Sequence, residues 1–119
     1  MDTTGGDTFE ETEVEPGVHL AQLVAGDEMS IQHVRMEPGA RVPTHSHHHE
    51  QVGYVYAGEI TFLLESGKVT VGDGDSYRLE SHETHGAENC GDGTILAIDV
   101  FSPPRPDPDW LEYTDGRNG

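Results

Sequence analysis

From residue 18 onward the sequence alternates short apolar runs with turns rich in glycine, proline and aspartate. No segment carries a helical period of useful length, so strands are the expected elements. The runs predict seven strands, at residues 18–24, 29–36, 51–56, 60–65, 68–71, 76–79 and 94–101. Short strands at this spacing, separated by turns, are typical of a sandwich or a small barrel.

A chain of 119 residues predicts one domain. Residues 1–16 are polar and acidic and predict a mobile leader, and residues 17–106 predict the barrel. Residues 107–119 predict a surface tail that Trp110 and Leu111 pin to the body. No apolar run is long enough for a membrane helix, no secretory signal is visible and Cys90 is the sole cysteine, so we expect a cytoplasmic protein.

The charge balance limits the partners. Asp and Glu total 23 against 6 Lys and Arg, for a net charge of −17. Such a field repels phosphate backbones and anionic headgroups, so neither nucleic acid nor a membrane surface is expected to bind. The acids either form a cation-binding or interaction surface or adapt the protein to high salt. Because they are scattered along the chain, the pattern favours salt adaptation, in a halophilic prokaryote.

Three histidines and a glutamine form the candidate metal site: His45, His47, His85 and Gln51. Neutral imidazole is the commonest metal ligand in proteins. Residues two apart on a strand share a face, so His45 and His47 can converge, and Gln51 keeps that parity if the chain stays extended. One divalent Ni, Zn, Fe, Mn or Co ion would suit these donors, with positions left open for a ligand. The alternative is a polar run near a loop.

The neighbouring histidines have weaker predictions. We expect His49 to line the mouth of a pocket and His48 to face outward, and neither they nor His82 to be direct ligands. They could still donate hydrogen bonds to the ligands. Glu50 has the opposite parity to Gln51 and is expected to point away from the site.

These spacings resemble the two paired motifs of the cupin superfamily. The first motif comprises Gly39, His45, His47, Gln51 and Gly58, and the second comprises Gly74, His85 and Asn89. The resemblance implies a double-stranded β-helix, a small jelly-roll barrel that binds one metal inside. Gln51 stands where glutamate is usual, and Glu80 and His82 stand where the second motif usually has proline and glycine. A neutral amide would leave more positive charge on the ion and strengthen it as a Lewis acid.

A closer resemblance, to the pectin-degradation cupins of the KdgF type, covers residues 45–51 and 99–105. It implies that the protein converts 4,5-unsaturated uronate monosaccharides to open-chain ketones. The implied metal ligands are His45, His47, Gln51 and His85. The implied groups for chemistry are Asp99, Phe101 and Arg105. In these roles Asp99 moves the proton, Arg105 holds the substrate carboxylate and Phe101 packs against the sugar ring.

Strand parity agrees with these roles. Ile95, Ala97, Asp99 and Phe101 share one face of the last predicted strand. A carboxylate on an apolar inward face is costly unless it is paired or functional. Asp99 could instead be an exposed strand end or an ion-pair partner of Arg78 or Arg105. Phe101 could be ordinary core, and Arg105 could lie on the surface.

Two other functions stay open. One is a different metallocupin enzyme, such as a dioxygenase or a polyketide-cyclase-like protein, for which Tyr54 and Tyr56 could line a pocket. Their parity, opposite to that of Gln51, argues against this. The other is a non-enzymatic module that binds metal or a small ligand. The resemblance to cupins also implies a homodimer.

Overall fold

The computed structural model describes residues 1–6 and 10–105. This part of the chain forms ten strands, β1 (Thr12–Glu15), β2 (Val18–Ala25), β3 (Ser30–Met36), β4 (Arg41–His45), β5 (Glu50–Ala57), β6 (Ile60–Leu64), β7 (Gly67–Val71), β8 (Ser76–Leu79), β9 (His85–Glu88) and β10 (Ile95–Ser102). No helix in these residues has the length and apolar character needed to span a membrane. The all-β prediction is confirmed.

The strands form two antiparallel sheets that face each other. The larger has the order β1-β2-β3-β10-β5-β8, and the smaller has the order β4-β9-β6-β7. Apolar side chains from both sheets pack in one core, which includes Met36, Val55, Phe62 and Ile95. The strands alternate inward and outward residues, so each sheet presents one face to the core and the other to solvent.

The seven predicted strands correspond to β2, β3, β5, β6, β7, β8 and β10, and each end agrees to within one residue. The strands β1, β4 and β9 were not predicted. β4 contains Pro43, which lacks a donor for the sheet, and β9 is only four residues long and includes Gly86. Such strands carry little apolar periodicity, and they form because their neighbours supply the register.

β1 lies inside the predicted leader. It pairs with β2. Glu11 lies just before β1, and its carboxylate accepts hydrogen bonds from the guanidinium of Arg35 on β3, the shortest of them 2.8 Å. This end of the leader is therefore part of the larger sheet. The predicted tail, with Trp110 and Leu111, lies outside the described residues.

β10 is the strand that positions the site. It lies between β3 and β5 in the larger sheet, and Ile95, Ala97, Asp99 and Phe101 are all buried, as their parity predicted. On the outer face of the same sheet, Tyr54 and Tyr56 of β5 are exposed. Neither tyrosine reaches the interior, which agrees with the argument against their lining a pocket.

Candidate metal centre

Three imidazoles meet at one end of the barrel. His45 ends β4, His85 begins β9 directly opposite it in the register, and His47 lies in the connection that follows β4. Their possible ligand nitrogens all lie within 4.8 Å of one another. The ring centroids are 4.5 Å apart for His45 and His85 and 5.0 Å apart for His47 and His85. The sequence prediction that these three histidines converge agrees with this geometry.

All three rings are oriented by the backbone. Each Nδ1 lies at hydrogen-bond distance from a carbonyl oxygen two residues away: His45 to Pro43 at 2.8 Å, His47 to His49 at 3.0 Å and His85 to Glu83 at 2.9 Å. A carbonyl oxygen can only accept, so each Nδ1 carries the proton and donates it. This fixes the tautomer in which Nε2 has the lone pair that a metal needs.

Gln51 is the candidate fourth donor, on the other sheet. It lies on β5 and is buried, and its Oε1 is enclosed without a hydrogen-bond partner among the described residues. The Nε2 of His47 is likewise buried and has no hydrogen-bond partner among the described residues. A buried polar atom without a partner costs free energy, and a bound cation would satisfy both atoms. The residues present therefore fit one divalent metal ion.

Burial keeps the imidazoles neutral. It lowers the pKa of His45 to about 4, partly opposed by the hydrogen bond to the Pro43 carbonyl. It also lowers the pKa of His47 to about 4, and there the positive charge of Arg105 acts in the same direction. Burial lowers the pKa of His85 as well. Uncharged rings at neutral pH are ready to bind a cation without first losing a proton.

His48, His49 and Glu50 point in the directions that their parity predicted. His49 is buried, with its ring centroid 6.1 Å from that of Phe101, whereas His48 is exposed. His82 is exposed and has a φ of 68°. Glu50 faces outward and lies 3.6 Å from Arg78. The predicted outward direction of Glu50 is confirmed.

Asp99 lies on the inward face of β10 and is only 6% exposed. The Tyr77 hydroxyl donates a hydrogen bond to its Oδ1, and the Gln51 side chain hydrogen-bonds to the same carboxylate. Burial raises the pKa of Asp99 to about 6, an effect that the bonds from Tyr77 and Gln51 and the charge of Arg105 partly oppose. Asp99 is thus poised to exchange a proton near neutral pH.

The sequence did not predict Tyr77 as a partner of Asp99. Arg78 and Arg105 were the partners considered. Arg78 instead lies beside Glu50 and Glu80, at 3.6 and 3.3 Å. Arg105 acts on the carboxylate through its charge. The sequence feature that could have indicated such a contact is Gly53, because a glycine inside a strand often marks the close approach of another group.

Phe101 and Arg105 form a second group beside the imidazoles. Phe101 is fully buried, its ring centroid lies 5.9 Å from that of His47, and the Arg105 guanidinium carbon lies 4.8 Å above the ring centroid. Arg105 is 4% exposed, and its backbone N–H donates to Ser30 Oγ at 3.0 Å. The alternative that Arg105 is a surface residue is therefore wrong.

Most of these groups, though not His47 or Phe101, line one cavity of about 60 Å³ between the sheets. Its polar lining includes His45, Gln51, His85, Tyr77, Asp99 and Arg105. Core side chains such as Val34, Met36 and Phe62 complete the wall. A cation site, a carboxyl group and a guanidinium thus face the same enclosed space, which is the arrangement of a binding site for a small anionic molecule.

Known proteins share this architecture. The Cupin domain family (Cupin_2) matches residues 32–101. The pectin degradation protein KdgF of Dickeya dadantii is 32% identical over 96 residues, which cover 80% of this chain and 86% of that protein. This chain belongs to the cupin family.

Solved structures extend the likeness of this cupin. KdgF from a Halomonas species superposes with a TM-score of 0.79 at 30% identity, covering 87% of this chain and 96% of that one. The polyketide cyclase RemF from Streptomyces resistomycificus has a TM-score of 0.77 at 20% identity, covering 97% and 93%, which shows a shared fold alone. The jelly-roll cupin fold and the resemblance to KdgF-type cupins are both confirmed.

The amide at position 51 of this cupin has a structural reason. A glutamate there would put a second carboxylate against Asp99, and two adjacent buried carboxylates cannot both ionise without a large cost. Gln51 can instead donate through its amide nitrogen to Asp99 while its Oε1 stays available to a cation. The departure from the usual glutamate therefore matches a neighbouring carboxylate.

The metal-free protein is expected to lose stability in mild acid. An unfolded histidine binds a proton near pH 6.5, but folded His45 and His47 do so only near pH 4. The free energy of unfolding therefore holds its full value above about pH 6.5. It decreases as the pH falls toward 4, because the unfolded chain binds protons that the folded rings do not. The folded and unfolded pKa values differ by about 2.5, so at 1.36 kcal/mol per pH unit the loss is at most about 3.4 kcal/mol per ring. Asp99, whose folded pKa is raised, contributes in the opposite direction over the same range.

Urea unfolding of chelator-treated protein at pH 7 and pH 4 measures this effect. Comparison with His47→Ala isolates one ring, because Asp99 is present in both proteins. The difference in unfolding free energy between wild type and variant should shrink as the pH falls. A difference that stays constant or grows between pH 7 and pH 4 would contradict the assigned pKa shift.

Proposed function

We propose that this cupin is a metal-dependent enzyme that converts 4,5-unsaturated uronate monosaccharides to linear ketones by ring opening and tautomerisation. The observation that carries the proposal is the cavity lined by His45, His85 and Gln51 together with Asp99 and Arg105, with His47 beside the two histidines. The similarity to two KdgF proteins, one of them described as a pectin degradation protein, supports it.

His45, His47, His85 and Gln51 would hold one divalent transition metal, either Ni, Zn, Fe, Mn or Co. Bound there, the ion supplies Lewis-acid stabilisation of negative charge on substrate oxygen. The protein's own part is to present four neutral donors in a fixed geometry. The carbonyl-anchored Nδ1 atoms keep the rings from turning away.

Asp99 would carry the proton. As a carboxylate it takes the proton of the anomeric hydroxyl while the bond from the anomeric carbon to the ring oxygen breaks and the ring oxygen leaves as an enolate. As an acid it then returns that proton to the carbon end of the enolate, which gives the ketone and restores the carboxylate. A pKa of about 6 makes both forms accessible near neutral pH. Its burial excludes bulk water from the transfer.

Arg105 would bind the substrate carboxylate. In a chain with a net charge of −17, an anionic sugar requires a local cation, and the guanidinium fork matches a carboxylate in two parallel hydrogen bonds. Phe101 was expected to pack against the sugar. Because its ring is fully buried beneath the guanidinium, we propose that it positions Arg105 instead.

Replacing Arg105 should weaken substrate binding more than turnover. Arg105→Ala is expected to raise KM about 10–100-fold, the value of a lost charged hydrogen bond of about 1.5–3 kcal/mol. Arg105→Lys keeps the charge but loses the forked guanidinium, so its KM should lie between those of wild type and Arg105→Ala. Steady-state kinetics measure this, with exposed Arg78→Ala as the matched control. A KM within about twofold of wild type for Arg105→Ala would remove this role.

Wild-type protein loaded with metal should consume an unsaturated uronate monosaccharide. Loss of the ultraviolet absorbance of the conjugated double bond follows the reaction, and protein treated with a chelator is the control. An absorbance decay no faster than in buffer, with metal bound, overturns the assignment. Oxygen uptake in the same experiment would favour the dioxygenase alternative, and binding without turnover would favour the non-enzymatic one.

Two predictions from the sequence stay predictions. A homodimer would be seen as twice the chain mass in sedimentation experiments. Adaptation to salt, in the cytoplasm of a halophilic prokaryote, would be seen as an unfolding midpoint that rises with salt concentration, because screening relieves the repulsion among the acidic groups.

A further inference from the structure

Three adjacent strands place one residue each in a single row across the larger sheet. Gly53 on β5 is opposite Asp99 of β10 on one side and opposite Tyr77 of β8 on the other. Neighbouring strands lie about 4.8 Å apart, so Asp99 and Tyr77 are separated by about twice that distance. The Tyr77 hydroxyl nevertheless donates a hydrogen bond to Asp99 Oδ1. The tyrosine side chain therefore crosses over β5 as far as Gly53, where its hydroxyl meets Asp99.

Gly53 makes this crossing possible. A Cβ built on it would overlap both the hydroxyl end of Tyr77 and Asp99 Oδ1. Its φ is not in the positive range, so the backbone there does not itself require glycine. Glycine is needed at this position because the side chains of Tyr77 and Asp99 occupy the space that a Cβ would fill. A strand interior otherwise disfavours glycine, which gives nothing to packing.

The surroundings of Tyr77 keep it a hydrogen-bond donor. Its ring packs against Phe62, with the centroids 4.7 Å apart. Burial, followed by the charge of Asp99, raises the pKa of Tyr77 well above its usual range. The hydroxyl thus stays protonated, and a donor on Oδ1 restricts the carboxylate to one orientation.

We propose that Tyr77 is a positioning residue that acts through Asp99, and that Gly53 supplies the gap through which it reaches. The catalytic part of this inference rests on the proposed function, in which Asp99 carries the proton. The geometric part, that Tyr77 and Asp99 are coupled across Gly53, can be measured without any activity.

Kinetics test the catalytic part. Tyr77→Phe should lower kcat about 10-fold or more while KM and the metal content stay within about twofold, because the Tyr77 hydroxyl is bonded to Asp99 and the phenylalanine ring keeps the shape of the cavity wall. In an Asp99→Asn background the same change should add no further loss, since the proton carrier is already gone. Exposed Tyr54→Phe is the control. An unchanged kcat, or equal losses in both backgrounds, overturns the inference.

Thermal unfolding tests the geometric part. Tyr77→Phe should lower the unfolding midpoint of wild type by several degrees because it removes a donor from a buried carboxylate. In an Asp99→Ala background it should leave the midpoint unchanged or raise it, since a buried hydroxyl without an acceptor is removed. Equal decreases in the two backgrounds would show that Tyr77 and Asp99 are not coupled.

Gly53→Ala provides a second variant that keeps both partners. It should lower the unfolding midpoint more than Gly93→Ala, where an added Cβ meets nothing within 4 Å. Equal effects of the two changes contradict the role of the gap. If wild type fails to turn over the uronate while Tyr77 and Asp99 prove coupled in unfolding, the proposed function fails and the geometry stands. If wild type is active and Tyr77→Phe is equally active, the inference alone fails.

Discussion

Asp99→Asn is expected to lower kcat for the unsaturated uronate about 10²–10⁴-fold, the usual contribution of a positioned proton carrier. The amide has the same size as the carboxyl group and can still accept a hydrogen bond from Tyr77 through its oxygen. It cannot take up or release the proton. Folding, metal content and substrate affinity should therefore stay close to those of wild type, and the loss should appear in single-turnover kinetics.

Exposed Asp92→Asn is the matched control for this change, since it removes one negative charge from the surface and should leave kcat unaltered. The result also separates the candidate functions. A protein that only binds a ligand would bind it equally well after Asp99→Asn and would show no turnover in either form. A variant that keeps kcat within about threefold of wild type would exclude Asp99 as the proton carrier.

His47→Ala is expected to remove both metal and activity. The His47 ring lies beside the rings of both His45 and His85, its Nδ1 is anchored on the His49 carbonyl, and its Nε2 is enclosed without a partner in the described structure. The variant would keep only two imidazoles and one neutral amide, a weaker donor set for a borderline transition metal. Metal analysis should show about one ion per wild-type chain and almost none in the variant.

The control is His48→Ala, which removes an exposed imidazole from the next position. It should keep the metal and the activity. A ligand that binds only the folded state stabilises it, so added metal should raise the unfolding midpoint of wild type and of His48→Ala but not that of His47→Ala. Retention of one ion and of turnover by His47→Ala would contradict the ligand set.

The strands that could be predicted are those with their own apolar pattern. β10 is the clearest, since alternation along it placed Asp99 and Phe101 on the buried face correctly. β4 and β9 could not be found in the same way, although they carry His45 and His85. Their register comes from pairing with each other and with β6, and such long-range pairing leaves no local pattern in the sequence.

The candidate ligands were predicted by a partly incorrect route. Parity along one extended strand was expected to bring His45, His47 and Gln51 together. In the structure β4 ends at His45, the chain bends at residues 48–49, and Gln51 lies on β5 in the opposite sheet. The donors converge because the connection passes from one sheet to the other at the end of the barrel.

The partner of Asp99 shows what spacing alone cannot supply. Tyr77 is 22 residues away in sequence and two strands away in the sheet. Only the register of β5 with both β8 and β10 brings the two side chains into one row. The glycine at position 53 was the one visible sign, and its meaning depends on which strands flank it.

We propose that three imidazoles and one carboxamide hold a single metal ion inside the barrel. A crystal structure of protein prepared without affinity nickel, with anomalous data collected at the edge of the metal found by elemental analysis, tests it directly. We predict one strong anomalous peak at about 2 Å from the Nε2 atoms of His45, His47 and His85, and at similar distance from Gln51 Oε1. A peak bound elsewhere, or an empty cluster in protein soaked with each candidate metal, would contradict the account.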